Sequence, residues 1–394
     1  MHNTVPPGYK QTEVGVIPED WEVKLLGELA EFVTSGSRGW AEFYSESGAL
    51  FIRSQNVRDG RLSFEDTQHV RPPLGAEGNR TKVYRNDLLI TITGNSVGNV
   101  ALVEQDFKEA YISQHVGMVR LHEAELGEYV CRYLSPNSPG NSQIAGSQSG
   151  QSKPGLNLQN LRDFRIAVPP TLPEQRAIAT ALSDVDALIA SLDKLIAKKC
   201  DMKQAAMQEL LTGKRRLPGF SGEWEVKRLG EICPLQRGFD LPTSQLRTGY
   251  FPVVYSNGVM NYHACCMVKG PGVVTGRSGT IGNVHYVEDD YWPHNTSLWV
   301  TSFKGNSPKF IFYLLTYIGL DKFGTGSGVP TLNRNDVHAH RTIIPPTEAE
   351  QTAIAAILSD MDAEIASLEQ KRDKTRLMKQ GMMQELLTGR IRLV

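Results

Sequence analysis

The chain has 394 residues, with 42 Lys+Arg against 43 Asp+Glu and 40% hydrophobic residues. That length predicts two or three domains with cores of their own, and the ordinary composition excludes long disorder. The longest apolar run, Phe310 to Leu320, is too short to cross a bilayer, and the opening MHNTVPPGYK lacks the pattern of a secretory signal; a cytoplasmic protein with no membrane partner is expected.

In chain order the first feature is Trp21-Glu-Val-Lys24, followed by Leu-Gly-Glu from Leu26. Glu22 and Lys24 read as alternating, solvent-facing strand residues. Leu88-Leu-Ile-Thr-Ile-Thr93 reads as a strand feeding the glycine loop Gly94-Asn-Ser-Val-Gly98. A polar loop from Gly150 to Lys153 precedes Pro154-Gly-Leu-Asn157 and then Pro169-Pro-Thr171. Thr171 with Glu174 fits a capping box, opening a helix. Ile178, Leu182, Val185, Ile189, Leu192 and Ile196 then alternate steps of four and three, a coiled-coil seam. Gly213 stands where a left-handed glycine ends such a helix.

Everything then returns. Trp224-Glu-Val-Lys227 repeats the opening at an offset of 203 residues, with Leu-Gly-Glu again from Leu229. Val273-Val-Thr275 leads to a second glycine loop, Gly276 to Gly282, which aligns with Gly94 to Gly98 and is two residues longer. Pro330-Thr-Leu-Asn333, Pro345-Pro-Thr347, Ser359-Asp-Met-Asp-Ala363 and Gln384-Glu-Leu-Leu-Thr-Gly389 all repeat earlier motifs at an offset of 176. The second seam is Ile354, Leu358, Met361, Ile365 and Leu368, until Arg372 interrupts it. Expected boundaries are a first domain over 1–170, a first spacer helix over 171–216, a second domain over 217–346 and a second spacer helix over 347–394. The fold class is α/β (α+β), two tandem domains with mixed sheets separated by two long antiparallel coiled-coil helices. Arg390-Ile-Arg-Leu-Val394 aligns with Lys214-Arg-Arg-Leu-Pro218, so the end leads back toward the beginning, and a pseudo-twofold, nearly circular molecule is expected.

Two unlike fronts joined to two closely repeated backs resemble the specificity subunit of a type I restriction–modification system. Glu174-Gln175 with Ile178, and Glu350-Gln351 with Ile354, match that family's pattern, and the resemblance covers the whole chain. It implies two target-recognition domains, each reading one part of a split, asymmetric double-stranded DNA site, with the helices setting the gap. It also implies two methyltransferase subunits, which bind S-adenosylmethionine, and restriction (motor-nuclease) subunits using ATP and Mg. No cofactor is expected on this chain.

Readout positions do not transfer by motif, so loop residues able to pair with bases are selected, Arg for guanine and Asn or Gln for adenine. These are Arg38, Arg53, Gln55, Asn56, Asn95 and Gln114, then Arg237, Asn257, Arg277 and Asn295; Lys153, Ser96 and Ser278 are expected at phosphates. Asn99 and Asn283 are assigned to turn structure. Asp184, Asp186, Asp360 and Asp362 favour the helix dipole. His338 and His340 alternate in a strand entering Ile343. Cys131, Cys200, Cys233, Cys265 and Cys266 lack a CxxC pair, so a disulfide scaffold or zinc ribbon is excluded. GxxxxGK[ST] and HExxH are missing, which argues against an autonomous nuclease or methyltransferase. With a net charge of −1, a protein–protein adaptor that does not read DNA remains the alternative.

Overall fold

A computed structural model of the chain describes residues 5–58, 60–72, 75–147, 155–325 and 329–393. It divides into two units, residues 1–191 with 371–394, and residues 192–370. Each unit is one domain plus a part of both long helices.

In the first unit, strands Val100–Leu102, Leu88–Thr91, Val116–Leu121 and Ala30–Ser35 form an antiparallel sheet in that order. A second sheet has Ala110–Ile112 parallel to Ala49–Ile52, then Gln68–Val70 and Tyr44–Ser45. The unbroken run Leu88-Leu-Ile makes sense as a strand covered on both faces. Leu88 and Ile90 enter the cluster containing helix Gly127–Leu134, while Leu89 points into a separate cluster with Ile52 and Met118. The second unit repeats the frame. Leu235–Arg237, Ser297–Val300, Gly272–Gly276 and Val284–Val287 form the antiparallel sheet, and Trp292–Pro293, Phe251–Tyr255 and Gly258–His263 form the other. A short ladder closes each domain, Glu22–Leu25 with Arg165–Val168 and Glu225–Arg228 with Arg341–Ile344.

The long helices are Leu172–Leu210 and Glu348–Leu386, 39 residues each. Thr171 Oγ1 and Thr347 Oγ1 accept from the Glu174 and Glu350 amides at 3.4 and 3.3 Å. The return half of the capping box expected at Thr171, and of its repeat at Thr347, is not made, because both carboxylates are engaged elsewhere. Arg392 donates to both oxygens of Glu174, and Arg216 to both oxygens of Glu350. Next in the motif, Gln175 and Gln351 donate to the Pro169 and Pro345 carbonyls at 2.8 and 3.1 Å. The repeated Glu-Gln is therefore a joint between helix start, ladder and the tail of the other helix. Gly213 and Gly389, both at φ +69°, make the left-handed turns that deliver those arginines.

In the first unit Ile178 and Leu182 are buried with Met383, Leu386 and Leu387; farther along the first helix, Asp186 meets Lys379 at 2.7 Å. In the second unit Met207, Leu210 and Leu211 pack with Ile354, Ala355 and Leu358, and Lys203 meets Asp362 at 2.5 Å. Within each unit the helix segments therefore run in opposite directions. Leu192 and Ile196 are buried, while Val185, Ile189, Met361, Ile365 and Leu368 are half-buried. The seam does not stop at Arg372, since Thr375 is buried and Lys379 takes a later seam position. Asp186 and Asp362 correct the dipole expectation. Asp186 also binds Arg132, and Asp362 accepts from the Tyr313 hydroxyl at 2.8 Å, so each ties two helices to a domain. A polar pair inside an apolar seam fixes register at some cost in stability.

Candidate nucleic-acid interface

At one end of the first domain four loops meet. Ile92 N donates to His115 O at 2.9 Å, Gly36 N to Val116 O at 3.1 Å and Ser113 N to Ile52 O at 2.9 Å. Gly36 is required by this crowding, because a Cβ there would lie 2.2 Å from the Ser113 carbonyl. The loops carry Arg38, Arg53, Gln55, Asn95, Ser96 and Gln114, so the structure gathers the selected residues. Arg38, Gln55, Asn95 and Gln114 are exposed, and Ser96 is half-buried. Arg53 donates to Asp66 at 2.9 Å, and the Gln55 amide donates to the other oxygen of Asp66. Gln114 Nε2 lies 3.1 Å from His115 Nε2, whose other ring nitrogen is 2.5 Å from Thr93 Oγ1.

Asn56 is a correction. It is 3% exposed, accepts from Arg53 N at 2.9 Å, and donates to the Ser63 and Asp66 carbonyls. Its amide is spent inside the protein and faces no base. Lys153 lies outside the described residues. Arg80, which sequence reasoning missed, donates to the Ser35 carbonyl at 2.8 Å and to Ser37 Oγ at 2.5 Å. It buttresses the Arg38 loop from 45 residues away, a separation that leaves no local signal.

The second domain makes the same end with other side chains. Arg277 N donates to Thr296 O at 2.8 Å, Gly238 N to Ser297 O at 3.1 Å and His294 N to Val254 O at 2.9 Å, matching the three bonds above. Ser278 pairs with Thr331 as Thr93 pairs with Gly155. Gly94 therefore corresponds to Gly279, not Gly276, and Gly276 is the last residue of a strand. Counted from this frame the second loop is the shorter one, against expectation. Position by position, Ile92 becomes Arg277, Gln114 becomes Asn295, Arg38 becomes Asp240, Arg53 becomes Tyr255 and Gln55 becomes Asn257.

Arg237 donates to Asp240 at 2.9 Å, the Asn295 amide donates to the same oxygen, and Arg277 reaches the Asn295 carbonyl at 3.3 Å. Ser278 N is 3.2 Å from Thr296 O. Asn257 is exposed on the turn after Tyr255, whose ring lies 4.2 Å from that of His294. Burial holds His294 below the ordinary imidazole value of 6.5. Asp66, Asp240, His115 and His294 were not selected from the sequence.

Elsewhere, His338 and His340 do not alternate in a strand. His338 lies in helix Arg334–Ala339, and its Nε2 accepts from Leu235 N at 2.7 Å. His263 Nδ1 accepts from Arg247 N at 3.0 Å. Cys131 and Cys233 are buried, which pushes their thiols up to about 12. Among the described residues no cluster of three or more His, Cys, Asp or Glu is arranged to hold a metal, and no helix is long and apolar enough to cross a membrane.

The family model for the type I restriction modification DNA specificity domain matches this chain twice, over residues 18–198 and 221–375. The chain belongs to this family. Each match runs from the opening ladder into a long helix, so the family's repeat and the structural repeat coincide. A Methanocaldococcus jannaschii protein designated the specificity subunit of type I restriction enzyme MjaX is 24% identical, over 98% of this chain and 97% of that protein. The MjaVIII specificity subunit of the same organism is 23% identical, over 96% and 94%. The structure resembles the type I system S subunit of M. genitalium with a TM-score of 0.64 at 15% identity, covering 93% of this chain and 96% of that one. A chain from a structural study of type I complex assembly and conformational transition matches at 0.58 and 17% identity, covering 95% and 99%. At these identities the two structures speak for the fold: tandem mixed domains and long helices. This type I specificity subunit is a DNA-binding member of a restriction–modification system.

Proposed function

We propose that the chain reads a bipartite, asymmetric DNA site, one half with each domain, and catalyses nothing itself. The observation that carries this reading is the pair of loop ends. The same backbone frame presents Arg38, Asn95 and Gln114 in one domain and Arg237, Arg277 and Asn295 in the other. Two unlike donor sets on one repeated scaffold suit two unlike half-sites. Ser96 and Ser278 are suited to phosphates, which position without specifying.

The reading extends to partners. Two methyltransferase subunits carrying S-adenosylmethionine, and restriction subunits using ATP and Mg, would supply the chemistry. A cleft beside each helix start favours paired docking. Glu22, Lys24, Glu28, Pro169, Pro170 and Gln175 line one, and their counterparts Glu225, Lys227, Glu231, Pro345, Pro346 and Gln351 line the other. With near-neutral charge, the partners also supply part of the phosphate attraction.

The test is methylation by the purified chain alone, by the methyltransferase alone, and by both with S-adenosylmethionine. Methylation confined to one split sequence, and only with both proteins, is expected. Turnover by the chain alone sinks the non-catalytic reading. Assembly without any sequence preference favours the adaptor.

A further inference from the structure

Both loop ends contain one combination of groups that positional equivalence does not explain. In the first domain Asp66 holds Arg53 on one carboxylate oxygen and Gln55 on the other. In the second, Asp240 holds Arg237 and Asn295. The positions differ: the frame counterpart of Asp240 is Arg38, and that of Arg53 is Tyr255. An aspartate clamping one arginine and one carboxamide has thus been reached twice by different routes.

Stability is a poor reason for the clamp. The Asp66 and Asp240 side chains are 67% and 64% exposed, and exposed ion pairs contribute little in water. A carboxylate at a DNA-facing end also repels phosphate, so its presence opposes non-specific binding. Its chemistry does accomplish one thing. A carboxylate accepts and cannot donate, so only the NH2 half of Gln55 or Asn295 can face it. The carboxamide oxygen and its second N–H are left pointing away, and those are the atoms that read adenine. The guanidinium beside it is likewise held in one orientation; Arg53 Nε is buried, so Nη1 of Arg53, like that of Arg237, is the group left for guanine or phosphate.

We infer that Asp66 and Asp240 are specificity-determining positioning residues, each presetting the arginine and carboxamide with which its domain discriminates bases. This rests on the DNA-reading assignment above. The carboxylate lowers the cost of ordering two flexible side chains at the interface. It also penalises any sequence that requires those donors to turn.

The experiment uses the full chain assembled with its methyltransferase, Asp240→Asn and Asp66→Asn variants, and a DNA library randomised at both half-sites. Asp240→Asn is expected to weaken discrimination roughly tenfold at one or two positions of one half-site, within the range of a bidentate contact. Asp66→Asn should do the same at the other half-site only, and Asp240→Glu should restore part of the preference. A uniform gain in affinity with unchanged base preference would overturn the inference, leaving the aspartates as phosphate repellents. So would unchanged preference with a lowered melting temperature, which marks a loop-stabilising role. If the wild-type assembly itself shows no preferred sequence, the DNA-reading assignment fails instead.

Discussion

Arg392 places its guanidinium across the carboxylate of Glu174, 218 residues earlier, with Nη2 at 2.8 Å from Oε2. The carboxylate is wholly buried, and Arg392 also meets Asp20 at 2.9 and 3.0 Å. The bonds to Glu174 first, and to Asp20 second, push the arginine further toward its charged form, and the guanidinium holds the Asp20 carboxyl below its usual range. One side chain thereby ties the tail of the second helix to the start of the first. Arg216 and Glu350 do the same in the second unit.

Removing one partner leaves a buried charge without its counterion. Arg392→Ala should destabilise the first unit by about 2 kcal/mol, below the range for fully buried pairs because the arginine is 30% exposed. Urea unfolding checks this. Arg392→Ala combined with Glu174→Gln should recover part of the loss. An unchanged midpoint in the single variant would show that the joint is not a stabilising element.

Acid should act on the second unit through its histidines. Burial lowers the values of His285, His294, His338 and His340 below 6.5. A depressed imidazole is neutral in the folded state while the unfolded chain takes up protons, so stability is full above pH 6.5 and is lost as pH falls below it. His338 is the sharpest case, since protonation removes the acceptor of the Leu235 amide. The protection of Leu235 N–H against hydrogen exchange, taken relative to the intrinsic rate, should fall as pH drops from 7 to 5. Exchange that follows only the intrinsic rate across that range would contradict this.

The repeat, the seams and the closing glycines were legible in the sequence because each is a matter of spacing. The end carrying the reading loops was legible only in part. Apolar strands before both glycines match Gly94 to Gly276, yet backbone pairing sets Ser278 against Thr331 as it sets Thr93 against Gly155, so Gly94 corresponds to Gly279, three residues on. Asn56 looked like an adenine reader because residue type cannot show that both faces of an amide are already occupied. His338 looked extended from its two-residue spacing with His340, although Asn333 Oδ1 accepts from Asn335 N at 3.0 Å as a helix cap. Asp66 carried no signal, since Arg53 and Gln55 lie 13 and 11 residues away, and Asp240, though three residues from Arg237, meets Asn295 only across 55 residues.

The long helices are shared by both units, which suits a ruler. Four residues inserted after Ala197 add roughly 6 Å of helix, and a matching insertion after Arg372 keeps the antiparallel segments in step. With B-DNA advancing about 3.4 Å per base pair, the preferred gap should lengthen by roughly one or two base pairs with both half-sites unchanged. Methylation of a library in which only the gap varies gives the answer. A folded variant that assembles with its partner but keeps the original gap would show that the helices only dock.

Two independent readers on one scaffold is the central claim, and exchanging residues 222–345 for the matching domain of a relative tests it most directly. The exchanged segment contains Arg237, Asp240, Arg277 and Asn295 and leaves the whole first domain untouched. Methylated sites would be mapped across the DNA of cells carrying the chimera and its methyltransferase. The expected result is a new sequence in one half-site, with the other half-site and the gap preserved. A simultaneous change in both half-sites, or none in either, would contradict the account.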